Sequence, residues 1–136
     1  MSRTSASGEP THRGLIAIVD DDDSVRNALA GLLRSVGLPH QAFASGAALL
    51  DSPHLAEVGC LIVDQCMPGM SGVELLAALQ QRRLRIPAVF VSAHDDPTTR
   101  QRAQSAGCIA FLSKPFDDQN LLDVVHHAQQ HPPTRP

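Results

Sequence analysis

Three short apolar runs constrain what this chain can fold into: Leu15-Ile16-Ala17-Ile18-Val19, Cys60-Leu61-Ile62-Val63 and Ala88-Val89-Phe90-Val91. Each is too short for a helix and does not alternate with polar residues, which is the pattern of a parallel strand covered on both faces. Helical periodicity fills the intervals. After Ser24, read as an N-cap, Val25, Leu29, Leu32, Leu33 and Val36 recur at helical spacing until Gly37 stops the pattern. Further helices are expected from Ser45 to Pro53, from Ser71 through Val73, Leu75, Leu76 and Leu79, over Pro97 to Ala106, and over Asp117 to Gln130. Ile109 to Leu112 reads as a short strand, and His40 to Ala44 as the weakest one.

Strands alternating with helices build right-handed βαβ units and a mostly parallel sheet. Five such units make an α/β, three-layer sandwich of flavodoxin-like type, with strand order 2-1-3-4-5. The 136 residues, 43% apolar and 18% charged, suit one packed domain. It is expected over 14–131, after a polar leader (1–13) and before a proline-rich tail or start of a linker (132–136). No apolar run approaches the roughly 20 residues needed to span a bilayer. The leader has no apolar core, so it does not read as a secretory signal. Three cysteines without a C-x-x-C pair argue against a disulfide framework and for the reducing cytoplasm. A net charge of −3, one short basic cluster (Arg82-Arg83-Leu84-Arg85) and the lack of Trp and Tyr give no sign of nucleic-acid binding.

Open parallel sheets bind ligands beyond the carboxyl ends of their strands. The first run is followed by Asp20-Asp21-Asp22-Asp23, the second by Asp64, the third by Ser92, and the last strand by Ser113-Lys114-Pro115. Acids, a hydroxyl and a lysine thus converge on one rim from distant parts of the chain. Clustered carboxylates repel unless a cation joins them. Mg²⁺ fits, because it takes few carboxylates and keeps waters and phosphate oxygens. Asp22 and Asp23 read instead as a solvated turn that favours the helix dipole. Asp64, at a strand end before a Pro/Gly loop, is a candidate nucleophile toward phosphorus. Lys114 would add a fixed positive charge there. Ser92 reads either as a donor to a phosphoryl oxygen or as a helix-capping residue.

These residues resemble the receiver domain of bacterial two-component response regulators, from about Leu15 to Ala128. The matching pieces are Ile18-Val19-Asp20-Asp21-Asp22 with Val25-Arg26, Asp64 with Met67-Pro68-Gly69-Met70-Ser71-Gly72, Val91-Ser92-Ala93, and Phe111-Leu112-Ser113-Lys114-Pro115-Phe116. Ser92-Ala93-His94 and Lys114-Pro115-Phe116-Asp117-Asp118 look most like the FixJ-like branch. The resemblance implies a CheY-like fold and a switch rather than a conventional enzyme, catalysing its own phosphorylation and dephosphorylation. Asp64 would accept the phosphoryl group from a sensor histidine kinase or a histidine phosphotransfer protein. Asp20, Asp21, Asp64 and the carbonyl of Cys66 would hold Mg²⁺, with Asp21 the direct ligand and Asp20 acting through water. Ser92 would be the switch hydroxyl, Phe111 the rotating aromatic and Lys114 the phosphate-pairing lysine. Ala93 would leave the site open, and the Lys114–Pro115 peptide would be cis. The 97–130 surface would change shape to control a partner, an output or a second copy of the chain. Phe111 taken alone reads equally as core packing. Gln65-Cys66 departs from the branch, where Arg or another polar side chain is common at the Cys66 position, so the resemblance does not fix the phosphoryl lifetime.

Rival readings explain less. Asp20-x-Asp22-x-Ser24 is close to the opening motif of haloacid-dehalogenase-like phosphatases, but that reading leaves Asp64 and its loop without a role. A receiver-fold binding module that takes no phosphate would not need every site residue. A histidine metal site has only His127 and His131 on one helix face, next to the helix-breaking Pro132.

Overall fold

The computed structural model describes residues 14–130. The expected leader and tail, 1–13 and 132–136, lie outside the described residues. The elements are β1 (Leu15–Val19), α1 (Asp23–Ser35), β2 (His40–Phe43), α2 (Gly46–Leu50), a 3₁₀ turn (Leu55–Glu57), β3 (Val58–Asp64), α3 (Gly72–Gln81), β4 (Ala88–Ser92), α4 (Pro97–Ser105), β5 (Ala110–Ser113) and α5 (Asp118–Gln130). The five strands form one sheet in the order β2-β1-β3-β4-β5, and every pairing is parallel. This is the 2-1-3-4-5 order expected.

Strand periodicity divides the core into two layers. Ala17, Val19, Leu61, Val63, Ala88, Phe90 and Phe111 face Leu49 of α2, Leu75, Leu76 and Leu79 of α3, and Ala103 of α4. Ile16, Ile18, Cys60, Ile62, Val89 and Val91 face Leu29 and Leu33 of α1 and Leu121, Val125 and Ala128 of α5. Because both faces of the central strands are covered, β4 is buried along its whole length.

Local chemistry sets the helix ends. Asp22, not Ser24, caps α1: its backbone is extended and its carboxylate accepts the N–H groups of Ser24 and Val25. Among consecutive acids, the one that leaves the strand in an extended conformation meets the free N–H groups first, and Ser24 is already helical. At the other end, Gly37 (φ 75°) donates to Arg34 O, and Leu38 donates to Leu33 O, closing a Schellman motif. Ser71 and Glu74 form a capping box on α3. The far end of α3 closes like α1, but with Arg83 at φ 63° where glycine is the usual choice.

Register then builds the rim. Val19 pairs with Val63, Asp64 with Val91, and Ser92 with Ser113. The residues at and just after these pairs, Asp20, Asp64, Ser92 and Lys114, therefore emerge side by side, at the β1/β3 crevice where the winding reverses.

Candidate functional site

Asp20 is 1% exposed, and both of its oxygens are occupied. Oδ1 accepts the N–H of Asp22 at 2.9 Å and Oδ2 accepts the Lys114 ammonium at 2.9 Å. Arg26 Nη1 donates to the Asp20 carbonyl at 2.6 Å, which fixes the first turn of α1 against the strand end. Asp64 is also buried; its Oδ1 accepts the Cys66 N–H at 3.1 Å, and its Oδ2 lies 3.4 Å from Lys114 Nζ. Asp21 is exposed at the mouth. Carboxylate oxygens of Asp20, Asp21 and Asp64 lie within 4.8 Å of one another.

Electrostatics follows from this packing. Burial raises the Asp64 carboxyl above its ordinary value; the Cys66 N–H and the Lys114 charge oppose the rise, and the Asp20 charge adds to it. Burial works against the Lys114 ammonium, but its hydrogen bond to Asp20 and the charges of Asp64 and Asp20 outweigh that, so its pKa lies above the usual lysine value. Three carboxylates with one ammonium leave an excess of negative charge. The side-chain donors are all hard oxygens, which suits a small divalent cation and not a soft transition metal.

Ser92 is fully buried; its hydroxyl accepts the His94 N–H at 3.0 Å and donates to the His94 carbonyl at 3.3 Å. Its Oγ is 3.9 Å from the Cys66 Sγ. Cys66 itself is exposed at the rim. Phe111 packs in the layer between the sheet and α2–α4. The Lys114–Pro115 peptide is cis. The sequence-based candidates thus gather at one end of the sheet, with Phe111 in the core beneath.

Two features escaped the sequence. Gln65 is 7% exposed, and its Oε1 accepts the N–H of Val73 at 2.9 Å while its carbonyl accepts that of Gly72. It thereby fastens the start of α3 to the end of β3 and closes the loop that carries Cys66. Arg100 lies with its guanidinium carbon 4.6 Å from the Phe111 ring centroid and is paired with Asp95. Only tertiary contact reveals either role; in the sequence both are ordinary polar residues.

Known proteins bear on this arrangement. A family model for the response regulator receiver domain matches residues 16–126. Nodulation protein W of Bradyrhizobium diazoefficiens is 39% identical over 117 residues, covering 86% of this chain and 52% of that protein. Transcriptional regulatory protein FixJ of Azorhizobium caulinodans is 39% identical over 110 residues, covering 81% of this chain and 52% of that protein. The chain spans about half the length of these curated relatives. The crystal structure of FixJ-N matches with a TM-score of 0.79 at 33% identity, covering 89% of this chain and 97% of that one. The strand-end carboxylates and lysine therefore sit in a chain that belongs to the receiver-domain family of response regulators, whose role is phosphorelay signalling.

Proposed function

We propose that Asp64 is the phosphoacceptor of a Mg²⁺-dependent switch. The observation that carries this reading is the position of Lys114, whose single ammonium spans Asp20 and Asp64 at 2.9 and 3.4 Å. Such a cation neutralises acids at rest and is in place to meet phosphoryl oxygens when they arrive. Of the two buried acids Asp20 is the more tightly engaged, with Asp22 N–H and Lys114 each at 2.9 Å, whereas Lys114 stays 3.4 Å from Asp64.

In transfer from a phosphohistidine, a carboxylate oxygen of Asp64 forms the new bond to phosphorus as the P–N bond breaks and the imidazole leaves. In the later hydrolysis, water forms the new bond to phosphorus as the Asp64 O–P bond breaks and inorganic phosphate leaves, so the domain catalyses both steps on itself. Asp20, Asp21, Asp64 and the Cys66 carbonyl would hold Mg²⁺, which when bound neutralises charge on the phosphoryl oxygens. The Ser92 hydroxyl donates to one of those oxygens, Phe111 responds to its movement, and the 97–130 surface carries the change to a partner, an output or a second copy. The sparse anchoring of α4, whose buried residue is Ala103, supports that choice of surface.

The donor is a sensor histidine kinase or a histidine phosphotransfer protein. An apolar groove beside Lys114, lined by Val25, Leu29 and Leu32 of α1 and by Pro115 and Phe116, supports docking of a protein donor. The domain is assigned to 14–131, and the site of action to the cytoplasm on the strength of the family it belongs to. Intact-mass measurement after incubation with acetyl phosphate tests the reading. One phosphoryl adduct that requires Mg²⁺ is expected, and an adduct that survives chelation of Mg²⁺ would refute it.

A further inference from the structure

Beside the phosphoacceptor site, a second polar cluster joins three segments of the switch surface. Asp95, in the loop between β4 and α4, accepts Arg100 Nε at 3.0 Å and Nη2 at 2.8 Å through separate oxygens, and Ser113 of β5 donates its hydroxyl to Asp95 Oδ2. The same guanidinium covers the ring of Phe111. Each member adjoins a residue of the site. Asp95 follows His94, whose backbone holds the Ser92 hydroxyl, and Ser113 precedes Lys114. Since Ala103 is the buried residue of α4, this fork and stack are a main tie between that helix and β5.

The geometry points to Asp95 and Arg100 as positioning residues that clamp the β4–α4 loop and set the threshold for switching. The inference rests on the Asp64 reading above. For Ser92 to reach a phosphoryl group on Asp64, its hydroxyl must release His94, and His94 cannot shift far while Asp95 is held by Arg100 and Ser113. Arg100 also holds Phe111 from outside, so the clamp restrains both switch residues together. Switching must break the exposed fork and the cation–π contact, so the phosphoryl-bound state bears that cost, and a variant without the clamp does not.

The test is the affinity of the Mg²⁺-loaded protein for beryllofluoride, read by ¹⁹F NMR, in Asp95→Ala, Arg100→Gln and the double variant. Each single variant is expected to bind roughly 2- to 5-fold tighter, the scale of an exposed pair with a stacked guanidinium. The double variant is expected to match the tighter single, because either change opens the same clamp. The two substitutions change charge in opposite senses, so long-range electrostatics alone would move them in opposite directions. Shifts of opposite sign, no shift in either single, or effects that simply add would overturn the clamp. Asp64→Asn is run alongside: if it binds beryllofluoride as well as the wild type, the phosphoacceptor reading itself fails, whatever the clamp variants do.

Discussion

The Lys114 ammonium donates to Asp20 Oδ2 at 2.9 Å, joining two residues 94 positions apart in the chain. Its approach to Asp64 is longer, 3.4 Å, so at rest the lysine is held chiefly by the acid that is not the phosphoacceptor. That arrangement keeps the lysine on the rim and leaves Asp64 the less neutralised of the two buried carboxylates.

Lys114→Met should therefore separate two effects. The metal-free protein is expected to lose about 2 kcal/mol, because Asp20 is left buried without its counter-ion. Mg²⁺ affinity is expected to rise roughly 3- to 10-fold, because a competing positive charge has gone. Urea unfolding without metal and calorimetric Mg²⁺ titration check the two halves, and an unchanged Mg²⁺ affinity would contradict the competition.

Asp64 has a folded pKa raised above its unfolded value, chiefly by burial. The folded state then holds that proton more tightly than the unfolded state does. Its contribution to stability is full below the unfolded value and is lost as pH rises through the folded one. At neutral pH the ionised Asp64 is a cost, and Asp64→Asn should be more stable than wild type by about 1 kcal/mol without metal. Urea midpoints should show this advantage growing from about pH 4 upward. Saturating Mg²⁺ should shrink it by stabilising the wild type alone.

Gly72 opens α3 directly behind the site. A Cβ there would lie 3.0 Å from Gln65 Oε1, 3.1 Å from the Asp64 carbonyl and 3.1 Å from a Phe90 ring carbon. Gly72→Ala should destabilise by about 1–3 kcal/mol, through overpacking against a strand end with little room to yield. Denaturant unfolding at fixed Mg²⁺ measures it, and a neutral result would mean that the β3–α3 loop is free to move.

Arg83 holds φ 63° at the close of α3, where a side chain is strained and glycine is not. Arg83→Gly should stabilise the protein by about 1 kcal/mol, read as an upward shift of the thermal midpoint. A destabilised variant would show that the Arg83 side chain makes a compensating contact.

Much of this was legible in the sequence, for physical reasons that also explain the gaps. Buried parallel strands leave uninterrupted apolar runs, so β1 and β4 stood out, and the rule that ligands bind beyond strand ends pointed to Asp20, Asp64, Ser92 and Lys114. β3 begins at Val58, earlier than its apolar run, because Val58 pairs with Leu15 across a register shift and Gly59 carries no apolar signal. β5 is displaced by one residue, to Ala110–Ser113, leaving Ile109 41% exposed just outside the strand. Gln65 carries no apolar signal, yet it is buried, with its side chain satisfying the first turn of α3. The Asp95–Arg100 fork against Phe111 depends on the distance between α4 and β5, which no local pattern encodes.

Chemical trapping reads directly whether the phosphoryl group resides on Asp64. The protein is treated with acetyl phosphate and Mg²⁺, reduced with borohydride so that an aspartyl phosphate becomes homoserine, and mapped by peptide mass spectrometry. Homoserine is expected at position 64, and is expected to be absent when Mg²⁺ is chelated. Homoserine at position 20 or 21, or none under conditions where intact mass shows an adduct, would contradict it.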